Sequence, residues 1–240
     1  MIATPLHPCG HLLSAMDRLP VQRKPEVIAQ WPRPTPDVLP LNATLETTSC
    51  RLRRLQREDM VMALSAMRDA QRLPSRWPRP ATDDLDALEG FYLRAREAWV
   101  RGSAYAWSVT PRYSDRAVGR MELVLTDTPD VWHICGWMHP LFRRRTLLGE
   151  ALPVLLKLVF ERFHAIRVNG DCVPGHENCA RILLGAGFFF VRRRTQAIRH
   201  ASESVQADRY TMGLDDWLRA QVQQRGEMGA AGQVGFMRSG

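Results

Sequence analysis

The sequence lacks the features that mark several classes of protein. None of its apolar runs approaches the roughly 18 residues that a membrane span needs. Its N-terminus has no basic stretch followed by an apolar one, so no signal peptide is predicted. The cysteines form no C-x-x-C pair and no even set, which indicates a reducing, cytoplasmic setting. There are five of them: Cys9, Cys50, Cys135, Cys172 and Cys179.

Lysine is nearly absent, so the net charge of +8 comes from arginine. A basic balance suits partners that carry phosphate or carboxylate groups, such as a nucleotide cofactor, nucleic acid or an acidic protein. The preference for arginine over lysine is also typical of a GC-rich genome. The charge alone therefore does not choose among these partners.

The 240 residues, 45% of them apolar, suffice for one ordinary domain with extensions. Residues 1–42 carry a proline density that blocks helices and central strands. We predict that this segment is an extended arm or is bound to a protein partner, with one short helix near Leu12–Arg18. Residues 43–218 are predicted to form the domain, and residues 219–240 the end of a C-terminal helix and a flexible tail.

Hydrophobic periodicity and turn residues predict an α+β chain, a mixed three-layer α/β/α arrangement. The three strands in its middle should form an antiparallel meander. The predicted strands are Thr44–Leu55, Ala104–Thr110, Ala117–Leu125, Trp132–Met138, Ile166–Val173, Phe188–Arg194 and Asp208–Leu214. The predicted helices are Arg57–Leu73, Thr82–Arg101, Gly149–Phe163, Glu177–Gly185 and Asp215–Arg225.

The stretch Trp132–Ala151 combines a strand, an arginine-rich loop and the start of an amphipathic helix. The first turn of a helix offers free N–H groups and the positive end of the helix dipole, and both favour an anion. Arg143, Arg144 and Arg145 add positive charge in the loop. The stretch therefore predicts a site for a phosphate-bearing cofactor. An alternative interpretation is a solvated or partner-binding basic loop.

The order of these segments resembles the Gcn5-related N-acetyltransferases (GNAT), within them the ribosomal-protein-alanine acetyltransferase type. The resemblance is carried by "YAWSV" and "VGRMEL", by "WMHPLFRRRTLLGEAL", and by "ARILLGAGF" ending at Phe188. It extends from about Thr44 to Trp217.

The resemblance implies a mostly antiparallel sheet in which the fourth and fifth strands splay apart and hold acetyl-CoA. The pantetheine arm would pair with backbone near Met138. The pyrophosphate would lie on the loop of Arg143, Arg144, Arg145, Thr146, Leu147 and Leu148. His176 and Asn178 would also contact the cofactor. The acetyl group would pass directly to an amine of a protein or small molecule, with no covalent enzyme intermediate.

Two features depart from the family pattern. The family's loop has Gly and Gly or Ala at two positions where this chain has Thr146 and Leu148. A register three residues later restores Gly149 and Ala151 but loses the basic residue. Proline belongs in the first helical turn, so Pro153 predicts that the helix begins near Gly149 or later, or is kinked.

His133 is the candidate general base, because no carboxylate lies on its strand and imidazole titrates in a suitable range. Strand alternation places His133, Cys135 and Trp137 on one face. The imidazole could instead bond a carbonyl at the strand end. His139 is a candidate anchor for the loop.

Cys179 and Tyr210 are the other catalytic candidates. Cys179 falls where the family usually has a serine that protonates the leaving thiolate, and packing is its alternative role. Tyr210 would line the acceptor groove or be an ordinary strand residue. Asn178 would contact the cofactor or cap a helix. The spacing Cys172-x3-His176-x2-Cys179 lacks a fourth zinc ligand, so we predict no metal site.

A protein of a different class stays open as the alternative. It would be a catalytically silent GNAT-fold protein that serves as a structural or partner-binding component, for example of a virus particle. A nucleic-acid-binding role rests on Phe188–Phe190 followed by Arg192–Arg194, and the core is the alternative place for these phenylalanines.

Overall fold

The computed structural model describes residues 38–71, 85–142, 147–197 and 204–233. Within these ranges, eight strands form one sheet in the order β1-β2-β3-β4-β5-β6-β8-β7. The predicted helix near Leu12–Arg18 and the loop Arg143–Thr146 lie outside them. Among the helices of the described ranges, none combines the length and apolar character that crossing a membrane requires.

The elements follow the predicted order, except that the first predicted strand is divided into β1 and β2. The strands are β1 Leu45–Glu46, β2 Cys50–Arg54, β3 Ala104–Pro111, β4 Gly119–Leu125, β5 Val131–Met138, β6 Arg167–Cys172, β7 Phe189–Ala197 and β8 Ser204–Gly213. The helices are α1 Asp59–Gln71, α2 Leu85–Arg101, α3 Leu147–Lys157, α4 Glu177–Gly185 and α5 Leu214–Gln233, with a 3₁₀ turn at Pro140–Phe142 and a π-helical turn at Leu158–Arg162.

The predicted meander is confirmed. β3, β4 and β5 pair antiparallel in sequence order, with Trp107 opposite Met121 and Leu123 opposite Ile134. Turn residues between the strands allow these short antiparallel connections. The meander forms the centre of the sheet.

β5 and β6 run parallel and pair over half of the length of β5 and two thirds of that of β6. The paired residues are Val131–Ile134 on β5 and Arg167–Gly170 on β6, whereas β5 continues to Met138 and β6 to Cys172. A parallel pair needs a crossover connection, and α3 supplies it. The strands therefore part beyond Ile134 and Gly170, which confirms the expected fold class with its splayed sheet.

The core lies mainly on the face of the sheet that α3 covers, called here the α3 face. Trp132 stacks on Phe163 with ring centroids 4.9 Å apart, and Tyr105 stacks on the same ring at 5.0 Å. Leu152, Leu155 and Val159 of the helical segment are completely or almost completely buried against these rings. Burial of large aromatic groups is the main stabilising contribution on this face.

The opposite face is covered by α1 and α2 and is called here the α2 face. Phe91 and Ala95 of α2 pack on Ala106, and Ala98 packs on Ala104 and Val124. His133 and Cys135 also lie on this face. Their neighbours along β5, Trp132, Ile134 and Gly136, lie on the opposite one, because successive residues of a strand alternate between the two faces of the sheet.

The described part of helix α3 reaches two residues before the predicted start. It is described from Leu147, so six described helical residues precede Pro153, which lies outside the first turn. The proline ring is exposed, and the carbonyl four residues earlier belongs to Gly149, which is exposed and lacks a side chain. Because water can reach that carbonyl, the missing N–H of Pro153 costs less here than in a buried helix.

The two ends of the described chain also differ from the predicted outlines. Leu39 is 4% exposed and belongs to the core, and its carbonyl accepts a hydrogen bond from the Trp99 indole at 3.0 Å. α5 continues to Gln233, eight residues beyond the predicted end at Arg225. The predicted division into an arm, a domain and a tail stays a prediction.

Candidate functional site

The open half of the β5–β6 pair forms a wedge bounded by Cys135–Met138 on one strand and by Asp171 and Cys172 on the other. On its far side, β5 stays paired with β4 up to Met138 opposite Gly119. A Cβ on Gly119 would lie 2.6 Å from the Trp137 carbonyl oxygen, so only glycine allows β4 to approach β5 so closely here. The wedge therefore opens toward β6.

The helix that follows the arginine-rich loop packs its first described turn against the β1–β2 turn. Leu147 is buried at the start of α3 and Leu148 is partly buried. The Glu150 carboxylate accepts hydrogen bonds from Thr47 Oγ1 at 2.9 Å and from the Ser49 N–H at 3.0 Å, which ties this helix end to the turn between β1 and β2. Arg143, Arg144, Arg145 and Thr146 lie outside the described residues, so their contact with a cofactor stays a prediction.

His139 holds the turn that leads into that loop, as predicted for an anchor. Its Nδ1 accepts a hydrogen bond from the Leu141 N–H at 3.2 Å, and its Nε2 lies 3.4 Å from Ser65 Oγ of α1. The side chain is 2% exposed. It fixes the end of β5 against α1.

His133 lies on the α2 face in the paired half of β5 and is 1% exposed. Its Nε2 is 3.9 Å from Asp171 Oδ2 and has no hydrogen-bond partner among the described residues. Burial lowers the pKa of His133 to about 4; the Asp171 charge opposes this shift, and the charges of Arg209 and Arg194 add to it. The imidazole is therefore neutral at physiological pH.

Asp171 is the centre of a buried ionic cluster that joins three strands. Its carboxylate accepts two hydrogen bonds from Arg209 of β8, at 2.7 and 2.8 Å, and one from Arg194 of β7 at 2.6 Å. Burial raises the pKa of Asp171, but the Arg209 hydrogen bonds and the neighbouring positive charges outweigh burial and hold it well below the usual range. The group is thus a carboxylate at the apex of the wedge.

Cys179 is joined to Cys172 by a disulfide, with the two Cα atoms 6.1 Å apart. A disulfide sulfur carries no proton, so in this form Cys179 cannot protonate a leaving thiolate. His176 is the N-cap of α4, and its Nδ1 accepts a hydrogen bond from the Cys179 N–H at 3.1 Å. Whether His176 also contacts a cofactor stays a prediction.

Asn178 is exposed in the first turn of α4, where its Oδ1 accepts a hydrogen bond from Arg181 at 2.7 Å. Tyr210 of β8 is 7% exposed and packs edge-on against Phe190 with centroids 5.7 Å apart. Burial and the Asp208 carboxylate raise the pKa of Tyr210, so the hydroxyl keeps its proton. Tyr210 pairs with Gly170 on the α3 face, and the sheet therefore separates it from His133.

Three charged groups on the α2 face were missed by the sequence reasoning. They are the Asp171 cluster with its two arginines, the ion pair of Arg120 with Glu122 at 2.5 Å, and Asp59, which binds Arg53 at 2.8 Å. Glu122 is 2% exposed and lies opposite Cys135. The sequence signal for these groups was a carboxylate at a strand position that faces the interior, as at Glu122 and Asp171. Charged residues are seldom fully buried without a partner, so such a position predicts an ion pair.

Among the described residues, no group of three or more His, Cys, Asp and Glu side chains is arranged to hold a metal ion. The Phe188–Phe190 run is divided between core and surface. Phe188 is 3% exposed, whereas Phe189 and Phe190 are each 49% exposed.

Comparison with known protein families identifies this arrangement of elements. The family model of the acetyltransferase (GNAT) domain matches residues 50–189, from β2 to the start of β7. The chain belongs to the GNAT acetyltransferase family. The sequence resemblance is thereby confirmed, and the match includes both strands of the wedge and the helix between them.

Solved structures of other acetyltransferases share the fold of this GNAT chain. One is the ribosomal-protein-S5-alanine acetyltransferase of Vibrio fischeri, at 16% identity and a TM-score of 0.61, covering 73% of this chain and 99% of its own. Another is RimJ of Mycobacterium smegmatis in complex with CoA-disulfide, at 12% identity and a TM-score of 0.61, covering 75% of this chain and 95% of its own. A third is RimL, a ribosomal L7/L12 alpha-N-protein acetyltransferase with bound coenzyme A. It has 14% identity and a TM-score of 0.58, and the match covers 71% of this chain and 97% of RimL. No curated protein sequence matches this chain significantly.

Acetyl-CoA is the cofactor of GNAT acetyltransferases, and two of these structures contain CoA. The residues described here fit such a group. The β5 edge over Cys135–Met138 is not paired with β6, which leaves room for an extended chain to lie along it. The contact predicted near Met138 falls on that edge and stays a prediction.

Proposed function

We propose that this GNAT protein is an acetyl-CoA-dependent N-acetyltransferase that passes the acetyl group directly to an amine of a protein or small molecule. The observation that carries the proposal is the half-length β5–β6 pairing, which ends at Ile134 and Gly170 inside the segment that matches the family. The family match does not favour the alternative, a catalytically silent structural component.

The open edge of β5 would hold and orient the cofactor. When bound, acetyl-CoA supplies an activated thioester carbonyl next to the wedge. A parallel strand edge offers alternating N–H and C=O groups, so Cys135–Met138 can bind an extended amide-containing chain as another strand would. Arg143, Arg144 and Arg145 would neutralise phosphate charge near the start of α3.

For the general base we propose His133. Direct transfer requires that the acceptor amine loses a proton before or during attack. Burial keeps the imidazole in its neutral form, with a pKa of about 4, so it is able to accept a proton at every pH above that value. Asp171, 3.9 Å away, would stabilise the imidazolium that forms. The pH at which activity falls on the acid side would then be near 4 and not near 6.5.

The acceptor is proposed by analogy with structural relatives whose names specify ribosomal proteins, in the case of RimL at an α-amino group. A peptide panel with free α-amines is therefore the first choice of substrate. Polyamines and amino sugars should be tested beside it, because the fold accepts small-molecule amines as well.

Acetyl transfer measured by mass spectrometry tests the proposal. Purified reduced protein is incubated with acetyl-CoA and each amine, and the acetylated product is quantified. His133→Gln should lower kcat by about 10² to 10⁴ and leave acetyl-CoA affinity unchanged. His164→Gln, at an exposed histidine, is the matched control.

A protein that binds acetyl-CoA but acetylates no amine of the panel would contradict the proposed function and favour the non-catalytic alternative. Equal kcat for the His133→Gln and His164→Gln variants would remove His133 as the base and leave the overall reaction standing.

A further inference from the structure

Two cysteines lie at the wall of the wedge and are bonded to each other. Cys172 is the last residue of β6, two positions after Gly170, where pairing with β5 ends. Cys179 is the third residue of α4. Their Cα separation of 6.1 Å falls within the usual range for a disulfide, so the backbone positions suit this bond without rearrangement.

The bond fastens the first turn of α4 to the end of β6. The middle of the helix is held separately, because Leu183 is buried and its methyl groups would lie 3.2 Å from a Cβ placed on Gly170. The connection between the cysteines turns at Gly175, whose φ of 78° is strained for other residues, and ends at the N-cap His176. Without the disulfide, the first turn would depend on this cap and on packing further along the helix.

The two sulfur atoms differ in how easily a reagent can reach them. Cys172 is 2% exposed, whereas Cys179 is only partly buried. Thiol–disulfide exchange requires access to the sulfur that is attacked. A small thiol or disulfide would therefore react first at Cys179, and Cys172 would act as the resolving partner.

We propose that Cys172 and Cys179 form a reversible thiol-oxidation site that switches the transfer activity of this protein. The switch rests on the proposed function. In the reduced form the Cys179 thiol, beside the wedge, is the proton donor for the leaving thiolate. In the oxidised form no proton is present at that sulfur, and the first turn of α4 is fixed.

The oxidant in this thiol–disulfide exchange is a low-molecular-weight disulfide such as oxidised glutathione. Cys179 attacks one of its sulfurs, which forms a mixed disulfide and releases one small thiol. Cys172 then attacks Cys179 Sγ, forms the Cys172–Cys179 bond and releases the second small thiol. The protein loses two protons and two electrons, and the small disulfide gains both. An excess of small thiol reverses the sequence.

Peptide mapping tests the chemistry independently of activity. Trypsin cleaves after Arg167 and Arg181, so both cysteines fall on one peptide, residues 168–181. After treatment with oxidised glutathione this peptide should resist alkylation, and after reduction it should accept two alkyl groups. Cys50 and Cys135, which are buried and not disulfide-bonded, are internal controls for non-specific oxidation.

Kinetics and hydrogen exchange test whether the disulfide regulates the transfer activity. Oxidation should lower kcat by about 100-fold and leave the acetyl-CoA affinity unchanged. Cys172→Ser should also lose activity after oxidised glutathione, but as a mixed disulfide at Cys179 that carries one glutathione, because no resolving thiol is present. Cys179→Ala should be slow in both states. Amides of residues 177–180 should exchange faster in the reduced protein.

The outcomes separate this switch from the proposed function. An alkylatable peptide after oxidant treatment would overturn the switch whatever the activity, and so would equal kcat in the two states. If the reduced protein acetylates no amine, the proposed function fails on its own. Hydrogen exchange then decides: faster exchange on reduction supports a redox-controlled α4, and unchanged exchange overturns it.

Discussion

The two faces of the sheet are built from different chemistry. On the α3 face, Tyr105, Trp132 and Phe163 stack with centroids 4.9 to 6.1 Å apart and are almost completely buried. On the α2 face, the buried groups include ionised ones, with Asp171 and Glu122 at the centre. The aromatic face needs only apolar contact, whereas each buried charge needs a partner of opposite charge to offset its loss of hydration.

This difference supports the proposed place of the general base on the α2 face. Apolar packing is a sufficient reason for the aromatic residues of the α3 face. Replacing a buried ion pair by apolar residues is often neutral or stabilising, so the cluster around Asp171 is not explained by stability alone. Its place at the apex of the wedge, next to His133, supplies the other reason.

The largest expected effect follows from removing the carboxylate of the cluster. Asp171→Ala would leave Arg194 and Arg209 facing each other without a counter-ion. We expect the free energy of unfolding to fall by about 3 to 5 kcal/mol, measured by urea denaturation. Asp208→Ala is the matched control, because its partner Arg193 is 58% exposed, and it should cost at most about 1 kcal/mol. Equal losses for both variants would contradict a special role of the cluster.

The second effect is an acid sensitivity that belongs to His133. Because its folded pKa is about 4 and its ordinary value 6.5, the unfolded chain binds a proton between these pH values that the folded chain does not bind. Stability therefore falls as pH drops from 6.5 to 4, by up to about 3 kcal/mol, and levels off below that. Asp171 does not titrate in this window, since its pKa is well below the usual range.

Urea denaturation of the wild type and His133→Gln at several pH values measures this contribution. The other histidines are common to both proteins, so their titration cancels in the difference. The gap between the two unfolding free energies should narrow or reverse as pH falls from 6.5 to 4. A constant gap would contradict a buried neutral imidazole.

The smallest effect concerns the attachment of residue 39 to the α3 face. The Leu39 N–H donates a hydrogen bond to the Tyr105 hydroxyl at 3.3 Å. Tyr105→Phe keeps the ring stack and removes this acceptor, so we expect a loss of about 1 kcal/mol and faster hydrogen exchange at Leu39. Unchanged exchange at Leu39 would show that the Trp99 hydrogen bond alone holds this segment.

The elements of the fold were largely predictable because their signals are local. Periodicity gave α4 its observed bounds, Glu177–Gly185, although its N-cap is His176 and not Asn178. Turn residues separated the strands of the meander. The described part of α3 extends N-terminal to the predicted start at Gly149, because the rule for Pro153 assumes a buried carbonyl four residues earlier. At Gly149 that carbonyl faces solvent.

The candidate site was only partly predictable because its contacts are not local. Asp171 meets Arg194 and Arg209, which are 23 and 38 residues away, only because β8 lies between β6 and β7. No local pattern specifies that strand order. The Cys172–Cys179 bond joins residues seven apart, yet it depends on how a strand end and a helix start face each other.

The most direct test of the account is calorimetric titration with acetyl-CoA. The wild type is compared with the triple variant Arg143→Ala/Arg144→Ala/Arg145→Ala. The control variant, Arg94→Ala/Arg96→Ala/Arg101→Ala, removes the same charge from exposed positions of α2. The account predicts binding in the micromolar range for the wild type and the control, and a loss of about 100-fold or more for the loop variant. Absence of binding by the reduced wild-type protein would contradict the account, since the wedge would then hold no cofactor.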